Sequence, residues 1–169
     1  MATVTVSNII IGAATLKIDG VDVGAISGGL SVAKATDVYA VEIDNVRAPV
    51  LHIPVKESFS IKTTMVEATL ANLKTIWNIP ATKLTTALGV TTLKVGLSTG
   101  VVEHTIEVTG VAPNGLTRVY RAFRAISVRP SEHSYNRNKE TMFPVEIDIL
   151  PDLTQAAGEE LGSVVDYNF

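Results

Sequence analysis

At 169 residues the chain suits one domain, and a fold of that length buries enough apolar surface to need no covalent staple. The absence of cysteine excludes disulfides and thiolate metal sites, and a formal net charge of −3 is too mild for a nucleic-acid binder or an acidic solubilising tail. Mean hydropathy is +0.30 with only 5% aromatic residues, so small aliphatics carry the apolar character. Val, Ile and Thr make up 55 residues, a β-branched excess that fits pleated surfaces better than helices.

The N-terminal MATVTVSNIIIGAATLK has no basic leader and its apolar run is broken by Lys17, which argues against a signal peptide. No stretch approaches the roughly 18 apolar residues of a membrane helix, so no membrane association is expected. Thr15 to Ile18 reads as a first strand, and Asp19–Gly20 between apolar positions as a hairpin turn. Gly24, Gly28 and Gly29 mark a bend or bulge before a strand from Leu30 to Ala35. Their spacing fits neither GxGxxG nor GK[ST], so no phosphate-cradling loop is predicted.

A long two-faced hairpin follows, from Val38 to Asp44, through a tip at Asn45–Pro49, and back along Pro54 to Thr63. It contains the first of two VEID tetrapeptides; the second lies in PVEIDIL at Pro144 to Leu150. In a strand this alternation puts Val41 and Ile43 on one face with Glu42 and Asp44 on the other. Likewise Val145, Ile147 and Ile149 can enter a core while Glu146 and Asp148 stay outside. Flanking residues differ between the copies, so no duplication is inferred.

Thr64 and Glu67 have capping-box spacing, and Val66, Leu70, Leu73 and Trp77 recur at helical intervals until Pro80. One helix over about 65–77 is predicted, packed on the sheet with Trp77 as its core anchor. Beyond an irregular stretch from Pro80 to Gly89 come TTLKVGLS, VVEHTIEVTGV, a turn at APNG, TRVYRAFRAISVRP, a polar loop and MFPVEIDILP. Short alternating runs with turns between them predict a mainly β fold, an antiparallel sandwich or barrel with one flanking helix. Residues after Pro151 read as a C-terminal arm (about 151–169) on a single domain.

Little in the sequence points to catalysis or cofactors. Gly96 to Gly100 match GxSxG around Ser98, but a nucleophile elbow needs a strand turning into a helix, and VVEHTIEV is a strand. His52, His104 and His133 lack metal-ligand spacing and read as surface or interface residues. No metal, cofactor or catalytic group is assigned. Between Arg118 and Lys139 lie six Lys or Arg against Glu132 alone, while Glu146 to Phe169 hold six Asp or Glu and no cation. Solvated faces account for such an asymmetry equally well. Arg118, Arg121 and Arg124 alternate with Tyr120 and Phe123, as in a single-strand nucleic-acid platform, yet Arg118 and Arg121 fall on opposite faces of a regular strand. Salt bridges between copies of the chain are the preferred reading.

Taken in order, GAATLKIDGVDVGAISGGLSV, VEIDNVRAPV, SIKTTMVEATLANL and FPVEIDILPD resemble the major tail tube proteins of long-tailed phages, over roughly Gly12 to Leu153. The resemblance implies a β-sandwich or barrel forming hexameric rings that stack into a tube, built in the host bacterial cytoplasm and carried in the virion tail. Its implied partners are further copies of itself, a tape-measure protein, tail-tip or terminator proteins, and double-stranded DNA that passes through the lumen without specific binding. By that analogy Glu42, Asp44, Ser58, Ser60 and Lys62 face the lumen. Asn45, Arg47 and Pro49 at the tip, with Arg118, Arg121, Arg124, Glu159 and Glu160, are then candidates for contacts between protomers or rings. A monomeric or small-oligomer β-sandwich binding or adhesion module is the alternative.

Overall fold

The computed structural model describes residues 10, 12–44, 46–97, 100–128, 135, 137–138 and 140–168. Its strands are β1 (Thr15–Ile18), β2 (Val21–Asp22), β3 (Ile26–Val41), β4 (Leu51–Met65), β5 (Leu84–Ala87), β6 (Val90–Leu93), β7 (His104–Val111), β8 (Thr117–Ser127), β9 (Phe143–Leu150) and β10 (Ser163–Tyr167). One α-helix, α1, spans Leu70–Ile76. The mainly β, antiparallel expectation with one helix holds. The main sheet runs β2-β1-β7-β8-β9-β4-β3, with β10 added beside β8, and β5–β6 form a separate two-stranded sheet. The main sheet does not close into a barrel, since β2 and β3 remain its edges.

The second VEID segment behaves as its alternation dictates. Val145, Ile147 and Ile149 are buried at 5%, 3% and 5% exposure, while Glu146 and Asp148 sit on the outer face. Around them gather Leu16 and Ile18 of β1, Ile61 and Met65 of β4, Ile106 and Val108 of β7, and Phe143. The core therefore runs across the sheet from β1 to β4. Leu73 and Ile76 of α1 cover it.

The helix differs from its sequence signature. Thr64 lies inside β4, paired with Ser27 and Pro144, and Thr69 is the true cap, its hydroxyl accepting from Asn72 N at 3.1 Å. Strand pairing on both sides of β4 outcompetes the local capping box, which shortens the helix by a turn. Glu67 is used elsewhere. Its carboxylate accepts from Ala25 N at 2.9 Å, and Asn72 donates to Val23 O at 2.9 Å, so both tie the helix start to the β2–β3 link. Gly24, at φ +82°, leaves the space that this carboxylate fills. Trp77 is not the core anchor either; it lies past the helix end at 36% exposure.

The C-terminal stretch is no loose arm. Asp152 N donates to Glu160 O, Glu160 accepts from Gly158 N through its carboxylate, and β10 pairs with β8 from Ser163 opposite Arg121 to Tyr167 opposite Thr117. Consequently β8 has β7 along one side, and β10 and then β9 along the other.

Candidate assembly surface

The feature that sets this fold apart is the reach of β3 and β4. They pair from Ile26 opposite Met65 to Val41 opposite Leu51, but β9 accompanies β4 only from Phe59 to Met65. Beyond that point no third strand joins the hairpin among the described residues. The segment Ala35–Val41 alone rises roughly 23 Å at about 3.3 Å per residue, so a bare two-stranded ribbon projects from the sheet. Two-stranded ribbons with both faces in water are marginal without a partner.

Register assigns its faces. Ile61 and Thr63 point into the core, so Ser58, Ser60 and Lys62 share the opposite, outer face, joined across the ladder by Ala35, Ala33 and Ser31. On β9 the same rows contain Asp148 opposite Ser60 and Glu146 opposite Lys62, with Lys62 Nζ 2.9 Å from Glu146 Oε1. The acidic side chains of the second VEID therefore lie on the outer face that holds the three polar β4 residues.

A register shift between Asp37 and Val38 follows, and Val55 is passed over. Farther out, Tyr39 pairs with Ile53 and Val41 with Leu51, so these four share one face. Tyr39 is 62% exposed, Leu51 55% and Ile53 44%. The outer face is thus polar beside the sheet and apolar along the projecting ribbon. Exposed apolar surface gathered on one element marks an interaction site.

The first VEID takes another course. Strand β3 ends at Val41, so Glu42 and Asp44 lie beyond the ladder, in the exposed turn that also holds Arg47 and Pro49. Even if the ladder continued, Glu42 would share a face with Ala40 and Val38, opposite to Ser58. The predicted polar row of Glu42, Asp44, Ser58, Ser60 and Lys62 is therefore split into an outer-face group and a tip group. Ile43, expected on one strand face with Val41, lies beyond the end of β3 and is 53% exposed. Asn45 lies outside the described residues.

The arginines expected to bridge protomers have partners within the chain. Arg118 makes two 2.7 Å bonds to Asp166 of β10; Arg121 Nε reaches Glu107 Oε2 of β7 at 3.0 Å; Arg124 donates to both oxygens of Glu103, at 2.7 and 2.6 Å. Hydrogen bonds from these guanidiniums hold the Asp166, Glu107 and Glu103 carboxyls below their ordinary range. The basic and acidic segments of the sequence thus meet partly inside the fold, because β10 and β7 flank β8. Glu159 is exposed, while Glu160 is spent on closing its own loop.

The described histidines stand apart from one another. His52 is exposed on the ribbon, and His133 and Ser98 lie outside the described residues. His104 is buried, not a surface residue: at 6% exposure its Nδ1 sits 2.7 Å from Asp19 Oδ2, and Asp19 also accepts from Thr105 N at 2.9 Å. This is a clamp between the β1–β2 turn and β7. Among the described residues no three His, Asp or Glu side chains cluster as metal ligands, and no helix is long and apolar enough to cross a membrane.

No protein-family model and no curated protein sequence matches the chain. Among solved structures it is similar to a chain in the cryo-EM structure of the anti-feeding prophage (AFP) baseplate, 6-fold symmetrised, at 14% identity. That likeness covers 89% of this chain and 94% of the other with a TM-score of 0.46, too distant to assign a shared role.

Proposed function

We propose that the chain is a structural virion protein whose copies form the stacked hexameric rings of a phage tail tube, a conduit for DNA during ejection. The observation that carries this reading is the unsupported ribbon with Tyr39, Leu51 and Ile53 exposed together on one face. Such an element gains its partner surface from another subunit, where its apolar face and ladder are covered. The sequence resemblance over Gly12 to Leu153 supplies the identity of the assembly. Within it, the outer face of β4 and β9 lines the bore. Lys62 is neutralised by Glu146 there, Asp148 adds negative charge, and Lys56 farther out lies opposite Asp37, so the face carries no net positive charge and DNA slides without being held. A tape-measure protein and tail-tip or terminator proteins are the other partners in this reading, and no enzymatic step belongs to it.

Sedimentation velocity and negative-stain microscopy of purified protein over a concentration series test it. Rings or tubes from the full chain are expected, with solitary particles when the ribbon is shortened by joining the paired residues Thr36 and Glu57 through a two-residue turn. Solitary globules of the full chain at every concentration, also alongside its natural initiator complex, would refute it.

A further inference from the structure

A second exposed apolar surface lies away from the ribbon. Where α1 ends and the β5–β6 hairpin begins, a groove of about 500 Å³ is lined by Trp77, Ile79, Leu97 and Val101, with Lys83 and Lys94 among its walls. Leu97 is fully exposed, Val101 is 60% exposed, and Trp77 is 36% exposed. Neither lysine has an ion-pair partner among the described residues, although Lys17, Lys34, Lys62 and the three β8 arginines all do. The groove is therefore apolar, with two uncompensated positive charges.

The ribbon tip bears two carboxylates against one cation, Arg47, and so keeps a net charge opposite in sign to the groove's. Glu42 and Asp44 are exposed and likewise have no ion-pair partner among the described residues, while Ile43 and Val46 between and beside them are 53% and 46% exposed. Val46 N donates to Ile43 O at 3.0 Å, which folds this segment into a compact turn. An acidic, apolar turn of this kind fits an apolar groove bearing two lysines. We propose that the tip of one copy docks into the Trp77 groove of a second copy, with Lys83 and Lys94 facing Glu42 and Asp44 and with Ile43 and Val46 against the groove's apolar wall. Tip and groove are unlike patches on one chain, so each copy offers one of each, and such head-to-tail contacts propagate into rings or filaments. The proposal rests on the assembly reading above and names the surface that the tip meets.

Trp77 is the sole tryptophan, so its emission reports the groove directly. In the full chain, assembly is expected to shift that emission to the blue. Reversing Lys83→Glu with Lys94→Glu, or Glu42→Lys with Asp44→Lys, should raise the concentration needed for assembly by about tenfold, and combining all four should restore most of it. The substituted side chains are exposed or line the open groove, and an unchanged far-UV spectrum checks each variant's fold. Wild-type assembly without a change in Trp77 emission, or reversals that leave assembly untouched, would overturn the docking while leaving the assembly reading intact. Absence of any wild-type assembly would overturn both.

Discussion

The two VEID tetrapeptides allow one substitution to be made twice in the same local sequence. Ile147 is 3% exposed on the central strand β9, paired with Ile61 on one side and Ser127 on the other, whereas Ile43 is 53% exposed beyond the end of β3. Ile147→Ala removes three buried carbons, worth about 2.4 kcal/mol by transfer at roughly 0.8 per carbon, and the void left among Ile61, Val145 and Ile149 brings the expected loss to about 3–4 kcal/mol. For a chain of this length that lowers Tm by roughly 6–16 °C. Ile43→Ala should stay within about 0.5 kcal/mol of wild type. Urea unfolding, followed by far-UV circular dichroism below the assembly concentration, measures both without the stabilisation that self-association adds. Equal losses at the two sites, or a loss under about 1 kcal/mol at Ile147, would show that the core does not sit on the odd-numbered face of β9.

Three further outcomes follow from particular contacts. Thr69→Ala should cost about 1 kcal/mol through loss of the cap on Asn72 N, while Thr64→Ala leaves helix content unchanged; far-UV spectra and thermal melts separate the two. Gly24→Ala should destabilise by about 1–3 kcal/mol, since a left-handed φ is strained for alanine and the new methyl meets the Glu67 carboxylate. A double-mutant cycle with Glu67→Ala should recover part of that loss, and strict additivity would count against the contact. For Asp19, partial burial favours the protonated acid, but His104 and Thr105 donate to the carboxylate and hold its pKa below the ordinary 3.8. The folded state then binds fewer protons than the unfolded one, so this contribution is complete above about pH 4 and fades as pH falls through the lower folded value. Asp19→Asn, which tolerates the local φ of +52°, should be less stable than wild type at pH 7, with a gap in Tm that narrows below pH 4.

Periodicity made the sheet legible where the chain is half-buried and regular. The alternation in Val145, Ile147 and Ile149 gave β9 and its inward face, and Asp19–Gly20 gave the first hairpin. It failed where competition between elements decides. The Thr64–Glu67 pair satisfies a capping rule, yet β4 claims Thr64 for its ladder with β3 and β9, and nothing local to the pair announces those neighbours. The Thr69–Asn72 spacing was the available signal for the true cap. Alternation also cannot tell a strand end from its continuation, so Glu42 and Asp44 were grouped with Ser58 although β3 stops one residue before Glu42. Arg118, Arg121 and Arg124 looked destined for another protomer because their partners, Asp166, Glu107 and Glu103, arrive from β10, β7 and the segment preceding β7. The register that unites them is a tertiary fact.

The outer edge of β3 pairs with no strand among the described residues, and an unpaired edge sixteen residues long would ordinarily template endless cross-β stacking. Here two features blunt it. Gly28 and Gly29, at φ +72° and +84°, loop out of the ladder near one end, and the extra residue Val55 in the neighbouring strand β4 adds twist after Asp37. The run from Leu30 to Val41 also carries Lys34, ion-paired to Glu57, and Asp37. A borrowed strand therefore meets a twisted, charged margin bounded by glycines, which opposes the flat stacking that fibril growth requires.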